Sequence, residues 1–259
     1  MPLPLVYLYV VILGWTSGIL INYLSEALPY KRRLVAPFCT GCGEQMPVWN
    51  YFFWPRRCSK CNKHRPWRTW LVELVSVLLT LFLWNYAPYP PGFYVSLILL
   101  VYFGTVAVID LEYRLILHPT SIAGAILGLV VGTWMHGILF TIIGGVAGFG
   151  TMFFFYYFGT LFARFVAKRR GEVLEEEALG FGDVNLSGVL GLLLGWPQIV
   201  IGLFLAILLG AVVSLIYMLT MVLIRRYRFF AAIPYGPFLI TGAAILIYFR
   251  DFLLAVLPK

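Results

Sequence analysis

The chain is 259 residues long, 61% hydrophobic and only 12% charged, with a formal net charge of +8 and a mean hydropathy of +0.90. A water-soluble domain is about half apolar and a quarter charged, so this composition excludes a soluble single-core protein, and its apolar content excludes disorder. It fits an all-α polytopic membrane protein with room for several spans of about 20 residues.

Eight apolar segments follow in chain order: Leu3–Leu24, Thr69–Tyr86, Phe93–Ile109, Thr120–Met135, Ile138–Ala163, Val184–Gly195, Gln198–Ile224 and Phe238–Leu257. The sixth is short and glycine-rich, as expected of a helix that begins at the membrane edge or borders a site. The first has no basic residue ahead of it and several behind it, the reverse of a cleavable signal peptide, and reads as a retained anchor. The expected organisation is a first transmembrane helix (1–24), a small cytoplasmic loop domain (25–68) and a seven-helix membrane domain (69–259).

Charge placement supports this topology. With the 25–68 loop in the cytoplasm and both termini outside, the inner side holds the nine basic residues from Lys31 to Arg68. It also holds Arg114, then Arg164, Lys168, Arg169 and Arg170, then Arg225, Arg226 and Arg228; only Arg250 and Lys259 fall outside. That is the asymmetry of a positive-inside protein. The net charge therefore reports orientation, and no nucleic-acid partner is expected. Gly124, Gly128 and Gly132, and Gly144 and Gly148, recur every four residues, the spacing that lets helix backbones approach closely in a bilayer.

All four cysteines form one pattern, Cys39-x2-Cys42-x15-Cys58-x2-Cys61. Two such pairs make two knuckles whose sulfurs can complete a tetrahedron around zinc or a similar thiophilic ion. Gly41 and Gly43 permit the first turn. Two disulfides or four unrelated thiols are the alternatives, and a cytoplasmic loop disfavours the disulfides. A four-thiolate site has no open position, so its expected role is structural.

Of 11 acidic residues, Glu26, Glu44 and the run Glu172, Glu175, Glu176 and Glu177 read as loop residues, with Glu73 just inside the second span and Glu112 just past the third. Asp110 ends the third span, which runs inward, and Asp183 opens the sixth, which runs outward. Both carboxyls are therefore expected at one depth, at the cytoplasmic edge. There they could share one proton, the arrangement that activates water and protonates a departing amine. The plainer alternatives are an N-cap at Asp183 and an Asp110–Arg114 ion pair. Gly180 and Gly182 leave room for a substrate or partner backbone beside Asp183.

These residues resemble the prepilin peptidases, or type IV leader peptidases, GxGD-type aspartic proteases of the prokaryotic plasma membrane. Gly18-Ile-Leu-Ile-Asn22 with Pro29 is similar to the family's GSFLN…LP pattern, and the paired cysteines match its cytoplasmic loop. Ile109-Asp110-Leu111 and Gly180-Phe-Gly-Asp183 match its two aspartate motifs. Pro234-Tyr-Gly-Pro-Phe238 resembles its PFGPF segment. The resemblance implies cleavage of the basic leader from prepilins or pseudopilins at the cytoplasmic face, with Asp110 and Asp183 as the catalytic pair and Cys39, Cys42, Cys58 and Cys61 on zinc. It also implies N-methylation of the new terminus with S-adenosylmethionine, for which no binding residue is identified. Asn185 stands where many members have Lys, which puts methylation in question more than cleavage. The glutamates at 172 and 175–177 could attract the basic leader. The competing readings are another GxGD intramembrane protease, which leaves the cysteines unexplained, a proton-coupled transporter, and a noncatalytic assembly protein.

Overall fold

The computed structural model describes residues 3–53, 56–170, 180–224 and 234–249. The described residues form helices α1 (Leu3–Lys31), α2 (Val48–Phe52), α3 (Arg68–Tyr86), α4 (Gly92–Tyr113), α5 (His118–His136), α6 (Ile138–Arg170), α7 (Phe181–Leu194), α8 (Gln198–Leu223) and α9 (Gly236–Tyr248). Among them there is no strand, only the isolated bridges Phe38↔Gln45 and Arg57↔His64. Over its described residues each of the eight apolar segments coincides with a helix, and α1, α3, α4, α6 and α8 are long and apolar enough to cross a membrane. The acidic run at 172–177, the basic cluster at 225–228 and the end of the last segment lie outside the described residues.

The chain divides into two compact units, 1–109 and 110–259. In the first, α1 lies against α3 through two glycines one turn apart. A Cβ on Gly14 would stand 2.7 Å from Val77 Cα, and one on Gly18 would stand 2.7 Å from Glu73 Cα. Only residues without side chains allow such an approach. The contact is then locked by polar groups. The Asn22 amide donates to the Thr69 carbonyl at 2.9 Å, and Trp15 Nε1 donates to Glu73 Oε2 at 3.0 Å.

Two acidic residues read as ordinary from the sequence prove to be buried hubs. Glu26 is no loop residue; it sits inside α1, which continues to Lys31 with Pro29 within it. Its carboxylate accepts from Tyr51, from Arg65 at 2.6 Å and from Arg68 at 2.8 Å. Glu73 on α3 accepts from Arg56 at 2.9 Å, and that guanidinium lies 4.1 Å from the Trp70 ring centroid. Both residues are at most 5% exposed, so each carboxylate needs its cationic partners.

The second unit is built around α7. Gly137 (φ 82°) ends α5 and Gly195 (φ 70°) ends α7, each in the left-handed region that glycine enters without cost. The predicted glycine contacts are present: a Cβ on Gly144 would collide with the Gly191 carbonyl oxygen, one on Gly148 with the Ser187 carbonyl oxygen, and one on Gly132 with the Leu192 carbonyl oxygen. α5 and α6 thus hold α7 backbone to backbone.

Candidate active site and metal site

The cysteine loop folds as two matching knuckles. In the first, the Cys39 N–H donates to Glu44 O at 2.8 Å and the Gly43 N–H to Cys39 O at 2.8 Å; in the second, Cys58 N–H donates to Lys63 O at 3.1 Å and Asn62 N–H to Cys58 O at 3.0 Å. Gly43 (φ 74°) and Asn62 (φ 58°) take the left-handed turn just after the second cysteine of each pair. Asn is the commonest substitute for Gly there.

All four cysteines are free thiols, and their Sγ atoms lie within 4.8 Å of one another. The Cys39–Cys61 and Cys42–Cys58 sulfur pairs stand 3.6 Å apart. A disulfide needs about 2 Å. A tetrahedral zinc with bonds of about 2.3 Å puts its sulfurs about 3.8 Å apart. The cluster fits a metal ion, and neither of these pairs stands at disulfide distance. The N–H groups of Cys61 and Lys60 bring the Cys58 thiol down to about 6, the thiolate form that metal ligation uses. Cys42 receives the Glu44 N–H, yet desolvation and the other three sulfurs push it up to about 12. Beneath the knuckles, Cys39, Met46, Tyr51 and Cys58 form a small buried cluster with Tyr23 and Phe52 against it. Tyr51 in α2 links this cluster to Glu26.

The GFGD segment has a local physical logic. Gly180 is the extended N-cap of α7 (φ −74°, ψ 140°), and it makes no side-chain cap. Phe181 packs edge-on against Phe149 and Tyr156 of α6, at centroid distances of 6.4 and 5.7 Å. A Cβ on Gly182 would come within 2.8 Å of Ile116 Cβ, so the close approach expected at this glycine is made by the chain's own Ile116. Asp183 follows in the first turn. It is therefore not the N-cap; its N–H donates to Gly180 O at 3.0 Å.

Asp110 lies inside α4, which continues to Tyr113, and not at its end. It forms no ion pair with Arg114; the contact between them is Arg114 N–H to the Asp110 carbonyl at 2.9 Å. Its carboxyl oxygen Oδ2 instead accepts the Gly236 N–H at 2.9 Å, at the start of α9. Asp110 and Asp183 are 4% and 9% exposed, and the charge of Asp110 is felt at Asp183. Both carboxyls are thus buried in the same unit, and Asp110 has a backbone donor.

Asn185 lies on the other side of α7, about 200° round the helix from Asp183. It lines a mainly apolar cleft of about 770 Å³ between α5, α6 and α7, with His118 and Ser121 beside it. A Lys at this position would stand in that cleft and not against the Asp183 carboxyl.

Family models match both parts of the chain: the Bacterial Peptidase A24 N-terminal domain over residues 12–86, which hold all four cysteines, and the Type IV leader peptidase family over residues 94–215, which hold both aspartates. A prepilin leader peptidase/N-methyltransferase of Burkholderia pseudomallei (strain 1026b) is 30% identical over 246 residues, covering 87% of this chain and 71% of that protein. The chain belongs to the type IV leader peptidase family. Relatives of the same name occur in Pseudomonas putida (29% identical over 228 residues, 84% of this chain and 73% of the relative) and in Myxococcus xanthus (27% over 231 residues, 83% and 64%). The chain therefore spans between about two thirds and three quarters of these leader peptidases' lengths. No solved structure matches it.

Proposed function

We propose that this chain is a prepilin leader peptidase, a multi-pass enzyme of the bacterial inner membrane that cuts the basic leader from prepilins or pseudopilins by aspartic catalysis. The observation that supports the reading is two buried carboxyls within each other's field, Asp110 from α4 and Asp183 from α7, with the N–H of Gly236 on one of them. Family membership and the relatives' names support it over a transporter or an assembly protein.

The proposed topology has eight spans with both termini outside. The cysteine loop and both aspartates then face the cytoplasm. A substrate helix in the bilayer keeps its leader in the cytoplasm and presents the scissile bond at the depth of the pair. Two buried carboxyls in each other's field would share one proton. Gly236 occupies Oδ2 of Asp110, which leaves Oδ1 for water. The ionised carboxyl takes a proton from that water as its oxygen bonds to the carbonyl carbon. The protonated carboxyl donates to the carbonyl oxygen, and the C–N bond then breaks with a proton delivered to the leaving amine.

Cys39, Cys42, Cys58 and Cys61 are proposed to hold one structural zinc, which would tie the two knuckles together. The relatives' names support N-methylation of the new terminus as a second activity. Its donor would be S-adenosylmethionine. The described residues contain no strand, hence no strand–turn–helix cradle that fits a nucleoside, and no residue is assigned to it.

The test is cleavage of a prepilin by the purified chain in lipid, read by mass spectrometry, with Asp110→Asn and Asp183→Asn beside the wild type and S-adenosylmethionine present or absent. A cut after the leader, abolished in both variants, establishes the reading; a methyl mass on the product adds the second activity. Normal cutting by either variant removes the pair from the mechanism.

A further inference from the structure

The short helix α2 buries one side chain, Tyr51, and turns large apolar groups outward. Val48 and Trp49 are 59% and 65% exposed, and Trp49 stacks on the exposed ring of Phe53 at 4.5 Å between centroids.

Successive residues here step along α1, away from the knuckles. The Tyr51 hydroxyl donates to Glu26, Phe52 lies edge-on to Tyr23 at 6.3 Å, and Phe53 lies edge-on to Trp15 at 5.5 Å. Arg56 then reaches Glu73 on α3 at 2.9 Å, and Glu73 is the residue packed on Gly18. The apolar run of α1 ends at Leu24. At a rise of about 1.5 Å per residue, Gly18 lies about 9 Å and Trp15 about 14 Å inside that end. The open side of α2 is therefore fixed at a depth where the helices beside it are apolar, and Ile12 on α1 and Leu71 and Leu74 on α3 are exposed there too. The charges point the other way. The side chains of Arg56 and Glu73 are 5% and 4% exposed and neutralise each other, as ionised groups within a bilayer do. Rings out and charges in is the inverse of a loop that faces water.

We propose that α2 is inserted into the cytoplasmic leaflet, where Val48, Trp49 and Phe53 contact lipid acyl chains. The exposed Trp67 and Trp70, where α3 enters its span, stand at the headgroup level that tryptophan prefers. A helix of five residues cannot hold itself. This one is held by Tyr51 on Glu26 and by Arg56 on Glu73, so the lipid has only to receive the side chains. A protein partner at this face would have to approach through the bilayer. The knuckles are thereby seated on the membrane, and do not swing on a free tether.

The insertion rests on α1 crossing the membrane and not on the peptidase chemistry. The full chain is placed in lipid nanodiscs with the photoreactive p-benzoylphenylalanine replacing Trp49, Ile12 or Lys60, one at a time. Lys60 is an exposed residue of the second knuckle. After illumination the adducts are identified by mass. Lipid adducts at Trp49 as abundant as at Ile12, and absent at Lys60, are the expected result. In a second measurement, the fluorescence that wild type has and Trp49→Phe lacks should be quenched by lipids brominated on their acyl chains and untouched by iodide in the water. Lipid adducts at Ile12 but none at Trp49, or quenching of that fluorescence by iodide, overturns the insertion and returns α2 to water. Protein adducts at Trp49 assign the face to a partner or a second copy and overturn it as well. No lipid adduct at Ile12 removes the spanning reading of α1 and the inference with it. Leader cleavage by the same wild-type preparation reports separately on the peptidase reading.

Discussion

The backbone N–H of Gly236 donates to Oδ2 of Asp110 at 2.9 Å, joining residues 126 positions apart in the chain. The contact needs a residue without a side chain. A Cβ on Gly236 would lie 2.7 Å from Asp110 Oδ2 and 3.2 Å from Cγ. Gly236→Ala therefore turns the carboxyl away or pushes α9 back. A misplacement of about 1 Å at a reacting group costs roughly a hundredfold in rate. The expected outcome is a loss of leader cleavage of about that size with the unfolding temperature little changed, checked by initial rates and thermal scans on the same preparation. Full activity in the alanine variant would separate this contact from catalysis.

Glu26 holds Arg65, Arg68 and the Tyr51 hydroxyl. Its side chain and that of Arg65 are 7% and 8% exposed, so the pair is sealed from water. Glu26→Gln keeps the shape and removes the charge, leaving two guanidiniums in a site that no longer compensates them. Breaking a buried pair from one side costs about 3–5 kcal/mol. Denaturant unfolding in detergent should show destabilisation of that order, and limited proteolysis should find new cuts between residues 37 and 66. A stability within experimental error of wild type would mean that water already reaches the pair.

The four sulfurs predict one bound zinc per chain. Elemental analysis of protein purified without added metal should find it, and Cys39→Ser with Cys58→Ser should abolish it. A strong chelator should lower the unfolding temperature of the wild type and have no effect on the double variant. Metal-free wild type with the same unfolding temperature would leave the knuckles standing on their own hydrogen bonds.

Gly144 and Gly191 are in backbone contact between α6 and α7. Gly144→Leu has no space to place its side chain, and overpacking of this kind costs about 1–3 kcal/mol or more. The variant should unfold at a lower temperature and lose cleavage together. Gly150, which has open space around it, is the matched control: Gly150→Ala should leave both unchanged.

The all-helical fold and its apolar helices were legible in the sequence because apolar run length is a property of the chain itself. The ends of the helices were less so. α1 runs on to Lys31 and α4 to Tyr113, because a helix does not stop where its apolar run stops. α2 has five residues and too short a pattern to show any period. Glu26 and Glu73 read as ordinary polar positions because their partners are distant: Arg65 is 39 residues from Glu26 and Trp15 is 58 from Glu73. The donor on Asp110 left no signal of its own, since every residue except proline carries an N–H. What the sequence did show there was a glycine between two prolines, a motif without a role until the fold set it against a carboxyl.

The seam between α6 and α7 has a consequence for how cleavage is located. Where carbonyl oxygens rest on glycine backbones at Gly144–Gly191 and Gly148–Ser187, a slip of one residue would drive a side chain into a peptide group. α7 is therefore keyed against axial sliding, as a notched shaft is. The height of Asp183 is indexed more finely than the helix rise of about 1.5 Å per residue. On the proposed mechanism the enzyme would act as a depth gauge: the cut would fall where the bond enters the plane of the carboxyls, and a substrate helix set one turn deeper or shallower would present a different peptide bond to the same unmoving blade.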